Sequence, residues 1–281
     1  MKAEWVVVMV AVLGGAAVLI VAIRRVRHRH DHSATPAPDA LMADRSATER
    51  VVTRDGPMSA QIPARRDDPF AVRRREMVRI QLQRRDIFDA RVLDAMRRVP
   101  RHEFVPRYLA DQAYQDGPLP IGHQQTISQP YIVALMTQLA RPRVDSIALD
   151  VGTGSGYQAA VLAELCKEVY SIEIVEPLAT SARQRLARLG YENITVRCGD
   201  GYQGWIEHAS YDLIIVAAAP DHIPQPLVEQ IKPGGCLVIP VGRHYQTLCE
   251  VEKKADGTVQ RRSVVPVTFV PMTGQALRST H

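Results

Sequence analysis

Cysteine is scarce in this 281-residue chain, and what there is stands unpaired: Cys166, Cys198, Cys236 and Cys249 form no C-x-x-C pair and have no histidine at metal-ligand spacing. That pattern excludes a disulfide scaffold and a zinc site, and it reads as small buried side chains in a reducing compartment. Positive charge is missing where nucleic-acid binding would need it. Residues 1–85 carry 16 Lys+Arg against 9 Asp+Glu, whereas 86–281 carry 19 against 21, so the formal charge of +5 belongs to the N-terminal third. A nucleic-acid substrate loses support accordingly. No internal repeat is evident. What is present, 46% hydrophobic residues, suffices for the core of one full α/β domain plus extensions.

Three regions follow in order. From Trp5 to Ile23 runs a stretch without a charge, close to the roughly 20 residues a helix needs to cross a bilayer. Arg24, Arg25, Arg27 and Arg29 follow it and only Lys2 and Glu4 precede it, which puts the rest of the chain on the cytoplasmic side. A secretory signal would show its positive charge first. A membrane-span helix is therefore expected within residues 1–27, with a cleaved signal or a start placed too far upstream as the other readings. Residues 28–72, rich in Ala, Pro, Asp, Ser and Arg, read as a flexible tether. The arginine runs at 65–66 and 73–75 could touch anionic headgroups, although a solvated linker and helix face is the simpler reading. Residues 73–281 are expected to form the catalytic domain, a cytoplasmic monomer held by the tether.

Within that domain Asp89 should cap a helix that ends at Pro100, and Pro130 suits the first turn of a helix over 131–140. Beyond Val144 apolar strands at 146–151, 168–173, 194–198, 211–216 and 236–239 alternate with helix-like segments near 157–165, 177–189, 202–208 and 225–231. This rhythm predicts an α/β fold with a doubly wound, mostly parallel sheet of the Rossmann-like type. Tyr245–Val251 and Val259–Val270, flanking Ala255-Asp256-Gly257, should add a C-terminal antiparallel hairpin.

In such sheets ligands bind at the carboxyl ends of the strands. The first strand ends in Asp150-Val151-Gly152-Thr153-Gly154-Ser155-Gly156. Its glycines let the backbone turn tightly and approach a ligand closely. A dinucleotide turn wants its third glycine one position later, where Tyr157 stands, so a pyrophosphate cradle is disfavoured and a nucleoside ligand such as S-adenosylmethionine is favoured. Glu173, ending the second strand, is placed to accept from ribose hydroxyls, and Asp200 with Gly201, after the third, to meet the adenine. Each could instead be an ordinary turn or surface acid. Ala217-Ala218-Ala219-Pro220 leaves room beside the ligand. Upstream, Ser128 could cap the helix after it or act on the acceptor; no Ser-His-Asp arrangement accompanies His123 and Ser128, so hydrolysis is not supported.

Six segments together resemble the protein-L-isoaspartate O-methyltransferase family over about Met77 to Gly274: 95–105 (Ala-Met-Arg-Arg-Val-Pro-Arg-His-Glu-Phe-Val), 119–131, 149–157, 199–205, 211–220 and 232–242. The resemblance implies a methyltransferase fold with S-adenosylmethionine as cofactor. It implies Ser128 as the active-site serine, with Thr126, Ile127 and Gln129 beside it at the acceptor. Asp150, Gly152, Thr153, Gly154 and Gly156 would then form the cofactor loop, Glu173 the ribose acid, and Asp200 and Gly201 the adenine contact. No metal is implied. The reaction implied is methyl esterification of isoaspartyl α-carboxylates in damaged proteins, and the ester would collapse to a succinimide whose hydrolysis restores some aspartyl linkage. The rivals are a tethered methyltransferase for a small carboxylate or lipid, and a cofactor-binding scaffold. The N-terminal 72 residues depart from the family pattern.

Overall fold

A computed structural model of the protein describes residues 68–277, together with two short strands nearer the N-terminus. The chain divides into two units, Met1–Arg54 and Asp55–His281. In the first, β1 (Val6–Val7) and β2 (Ala22–Ile23) pair antiparallel. The rest of the expected span over Trp5–Ile23, and the linker up to residue 67, lie outside the described residues. Among those described, no helix is long and apolar enough to cross a membrane.

In the second unit the chain begins with α1 (Ala71–Met77), which runs on as a wider π turn through Leu82 and buries Met77, Val78 and Leu82. Helix α2 (Ala90–Arg98) follows. Its Asp89 cap accepts the Arg91 N–H, satisfying one of the amides a helix start leaves free. A small hairpin of β3 (Leu119–Gly122) and β4 (Gln125–Ile127) then leads into α3 (Pro130–Ala140).

The main sheet is built from β5 (Ile147–Val151), β6 (Glu168–Glu173), β7 (Ile194–Cys198), β8 (Tyr211–Val216), β9 (Ile231–Val241), β10 (Gln246–Lys253) and β11 (Val259–Val267). Its order is β11-β10-β9-β8-β5-β6-β7. Strands β5 to β9 pair parallel, and β9, β10 and β11 form an antiparallel meander at one edge. The order reverses at β5, since β6 and β7 lie on one side of it and β8 on the other. Helices α4 (Tyr157–Ala163), α5 (Glu176–Arg188) and α6 (Gln225–Glu229) connect the strands. Central strands β5 and β8 read as continuous apolar runs because both faces are covered; Leu149, Ile214, Ile215 and Val216 are all fully buried. At the amino ends of these strands, Asp212 accepts the Ile147 N–H at 2.7 Å and pairs with Lys232 at 2.8 Å.

Two expectations need correction. The segment 202–208 is not one helix but two 3-10 turns, Gly201–Gln203 and Ile206–His208. Gly204 breaks them at φ +65°, and the buried Gln230 amide takes over the helix's bonds, accepting from Trp205 N and donating to Gln203 O. Second, Cys198 is exposed, because it is the last residue of edge strand β7; the other three cysteines are buried and all four are free. Among the described residues no three His, Cys, Asp or Glu side chains converge as metal ligands.

Candidate active site

The glycine loop follows directly from β5. Gly152, Gly154 and Gly156 stand at φ +94°, +52° and +90°, values that a side chain would make costly. The loop hangs from the neighbouring strand, with Gly152 N and Thr153 N both donating to Ile172 O. Gly156 does not face the cavity; a Cβ there would sit 3.2 Å from Leu186 Cδ1, so this glycine permits close packing of the loop on α5.

Asp150 lies under the loop, not on its surface. It is wholly buried; Ser171 Oγ donates to its Oδ2 at 2.7 Å, and Thr153 Oγ1 lies 2.6 Å from Ser171 Oγ. Burial pushes its carboxyl up to about 7, opposed by the Ser171 bond and reinforced by the Glu173 charge. Asp150, expected to contact the cofactor, is placed beneath the loop, its side chain joined to it through Ser171 and Thr153, one residue before the end of β5.

Glu173, at the end of β6, is 5% exposed. Its Oε2 accepts Gly154 N at 2.7 Å and its Oε1 accepts Val175 N at 2.9 Å. The carboxylate thereby ties the glycine loop to β6 while each oxygen keeps acceptor capacity for a ligand. Asp200 works similarly. Its Oδ1 caps Tyr202 N at 3.0 Å, and its Oδ2 accepts Gln275 N at 2.7 Å, which ties the C-terminal tail beside the third strand end. That tail crosses the end of β8, with Ala219 N donating to Val270 O and Met272 N to Ala219 O.

These strand ends line a cleft open to solvent, placed where such sheets bind ligands. Gly152, Thr153, Gly154, Glu173, Asp200 and Gly201 line it, and so do Thr126, Ile127 and Ser128. A second cavity opens beside the first, reaching Pro118, Gln129, Ile132 and Phe269. The two share Thr126, Ser128, Ala217 and Val270. Gln129 belongs to the second cavity alone, its side chain turned to Asp116 Oδ1 at 2.8 Å.

Ser128 does not cap α3. The cap residue is Gln129, and no side chain bonds the first turn, so the Ser128 hydroxyl is left to the cavities. The segment carrying it comes from β4, whose hairpin turns through His123 and Gln124 at φ +51° and +59°. Such a turn normally announces itself with Asn-Gly or Asp-Gly; its absence explains why the sequence reads here only as a polar segment. The sequence also gives no sign that Val270 to Thr273 line the cleft, since nothing local marks a chain that returns from beyond β11. The Ala217–Pro220 run was the one available hint of a space beside β8.

A family model for protein-L-isoaspartate(D-aspartate) O-methyltransferase (PCMT) matches residues 72–277. A protein-L-isoaspartate O-methyltransferase 2 from Polaromonas is 62% identical over 66% of this chain and 90% of its own length. A protein-L-isoaspartate O-methyltransferase from Synechococcus is 56% identical over 75% and 89%. Among solved structures, a PCMT-type beta-aspartate methyltransferase from Plasmodium falciparum, in complex with S-adenosyl-L-homocysteine, superposes with a TM-score of 0.63 at 27% identity, over 71% of this chain and 98% of that one.

Proposed function

The chain belongs to the protein-L-isoaspartate(D-aspartate) O-methyltransferase family, and from that premise we propose how its two joined cavities divide the work. The activity is S-adenosylmethionine-dependent methyl esterification of the α-carboxylate of L-isoaspartyl residues in damaged proteins, the entry step to repair through a succinimide. The strand-end cleft suits the methyl donor: glycines give the close approach, and Glu173 and Asp200 are paired acceptors for ribose hydroxyls and the adenine amino group. Gly152, Thr153, Gly154 and Gly201 complete that wall. The second cavity suits an extended backbone carrying the isoaspartyl residue, with Thr126 and Gln129 along it, Ile127 beside them on the first cleft, and Ser128 donating to the acceptor carboxylate.

The donor, when bound, supplies a methyl group made electrophilic by its sulfonium. The chain's residues do the rest. An isoaspartyl α-carboxylate, with a pKa near roughly 3.5, is ionised at neutral pH and needs no general base, which accounts for a site without a catalytic dyad. What remains is to hold a carboxylate oxygen in line with the methyl group and keep water from the path. The Val270–Thr273 tail and the β3–β4 hairpin supply the cover.

The observation that carries this reading is the meeting of the two cavities at Ser128, where a donor and an acceptor can touch. Incubating the protein with labelled S-adenosylmethionine and matched isoaspartyl and aspartyl peptides tests it: label is expected on the isoaspartyl peptide only, and equal or absent labelling of both overturns it. The domain limits 1–27, 28–72 and 73–281 and a cytoplasmic-face tether are proposed on the apolar run and its trailing arginines alone. Recovery of the full-length protein wholly in the soluble fraction of lysed cells would defeat the tether.

A further inference from the structure

Arg101 is the largest fully buried side chain in the described residues, at 0% exposure. A guanidinium removed from water is normally matched by a carboxylate. Among the described residues no carboxylate pairs with this one. Its Nε donates to Ala113 O at 2.7 Å, its Nη2 donates to Ser128 O at 2.8 Å, and its guanidinium carbon lies 4.8 Å from the centre of the Tyr157 ring. Tyr157 starts α4 directly after the glycine loop and lines the donor cleft. Desolvation lowers the Arg101 pKa from its ordinary value, but arginine stays charged at any physiological pH.

The fork therefore joins three parts of the molecule that are far apart in sequence: the loop at Ala113, the acceptor segment at Ser128, and the wall of the donor cleft. The bond from Arg101 to the Ser128 carbonyl restrains the rotation of the peptide that follows the serine side chain. The other restraints on this backbone fall on its neighbours, the β4 pairing that ends at Ile127 and the Gln129 bond to Asp116. α3 has no side-chain cap and begins with Pro130, which has no N–H to offer.

We propose that Arg101 is the positioning residue of the acceptor site: from beneath the cavity it anchors the Ser128 carbonyl and so sets where the Ser128 hydroxyl meets the substrate carboxylate. The proposal rests on the isoaspartyl reading above. Its logic is the planar fork, which makes two divergent bonds while stacking on a ring; a lysine ammonium has the charge without that geometry. A misplacement of about 1 Å at a reacting centre can cost on the order of a hundredfold in rate.

The test uses full-length protein carrying R101M or R101K. R101M leaves the Ala113 and Ser128 carbonyls without this donor, so its melting temperature is expected to fall, and kinetics and binding are read well below it, where the variant is folded. Its KM for an isoaspartyl peptide should rise by roughly tenfold or more and kcat should fall, while the calorimetric Kd for S-adenosylhomocysteine stays within about twofold. R101K should fall between R101M and the parent. A folded R101M with unchanged KM and kcat overturns the proposal, as does an equal weakening of S-adenosylhomocysteine binding, which would place the effect on the donor wall through Tyr157. Should R101M fail to fold, R101K is read by the same criteria. Failure of the parent protein to label isoaspartyl peptide would instead count against the functional reading, because the Kd and melting data do not depend on it.

Discussion

The donor wall and the acceptor wall of this site are built in opposite ways. The donor wall gathers the ends of consecutive parallel strands: β5 gives the glycine loop, β6 gives Glu173 and β7 leads to Asp200. Each contributor is fixed by the register of a sheet whose central strands are fully buried. The acceptor wall brings Thr126, Ser128 and Gln129 together with Pro266 to Val270, the end of the small hairpin meeting the end of edge strand β11 and the tail after it. It is held by a few specific contacts, namely the Arg101 fork, the Gln129–Asp116 bond, and the bonds from Gln246, whose side chain meets Phe269 N and O. A parallel sheet positions ligand groups through its own regularity. A site assembled from peripheral segments depends on individual side chains.

That contrast can be broken by substitution. The largest effect is expected for Glu173→Ala, which leaves the Gly154 and Val175 amides without their acceptor and removes the proposed ribose contact. At about 1.5–3 kcal/mol per charge-assisted bond, the Kd for S-adenosylhomocysteine should rise by about a hundredfold or more in calorimetry. The isoaspartyl peptide KM at saturating donor should barely move; a comparable rise there would show that the walls are not separable. Ser128→Ala is the converse. Loss of one bond to a charged acceptor predicts a roughly 10- to 100-fold drop in kcat/KM for the peptide, with donor binding within about twofold. Transfer at the parental rate would remove Ser128 from the reaction. Ala217→Leu, on the boundary shared by both cavities, should weaken donor and acceptor together by about tenfold each, the scale of an overpacked site. An effect on one ligand only would place the boundary elsewhere.

Smaller effects concern stability. Because the folded Asp150 carboxyl is pushed from 3.8 up to about 7, the folded state binds a proton more tightly than the unfolded chain. The sign follows: its ionisation costs nothing below about pH 4, weakens the fold progressively as pH rises through 4 to 7, and exerts its full cost above 7. Asp150→Asn should therefore flatten the fall in melting temperature between pH 5 and pH 8, and an unchanged slope would assign that fall to other groups. Least is expected of Lys232→Ala, at the opposite end of the strands. Its pair with Asp212 is partly solvated, so the loss should be under about 1 kcal/mol in denaturant unfolding, with neither ligand affected.

The donor wall was largely legible in the sequence. Three alternating glycines after an apolar run, then acids ending the next strands, depend on local sterics and on a period that the residues display themselves. Strands β5 to β8 fall within a residue of where the pattern puts them. Spacing tells which residues stand near a loop, but not that the Asp150 side chain is buried beneath it or that Gly156 packs against Leu186. The hairpin at His123-Gln124 was invisible because the turn uses residues that do not ordinarily adopt it.

Sequence alone determined the alternation of strands and helices, the glycine loop, the acids Glu173 and Asp200 at and after the second and third strands and, through segments resembling a known family, the reaction. Tertiary structure decided that the tail after β11 lies over the cleft, that Ser128 faces the cavities and caps nothing, and that Arg101 sits uncharged-partnered beneath it. The division is physical. Helix and strand periods and positive-φ turns are properties of neighbouring residues, so they leave a local mark. The meeting of residue 101 with residue 128, or of residue 219 with residue 271, is set by how whole elements pack, and no short window of the chain records it.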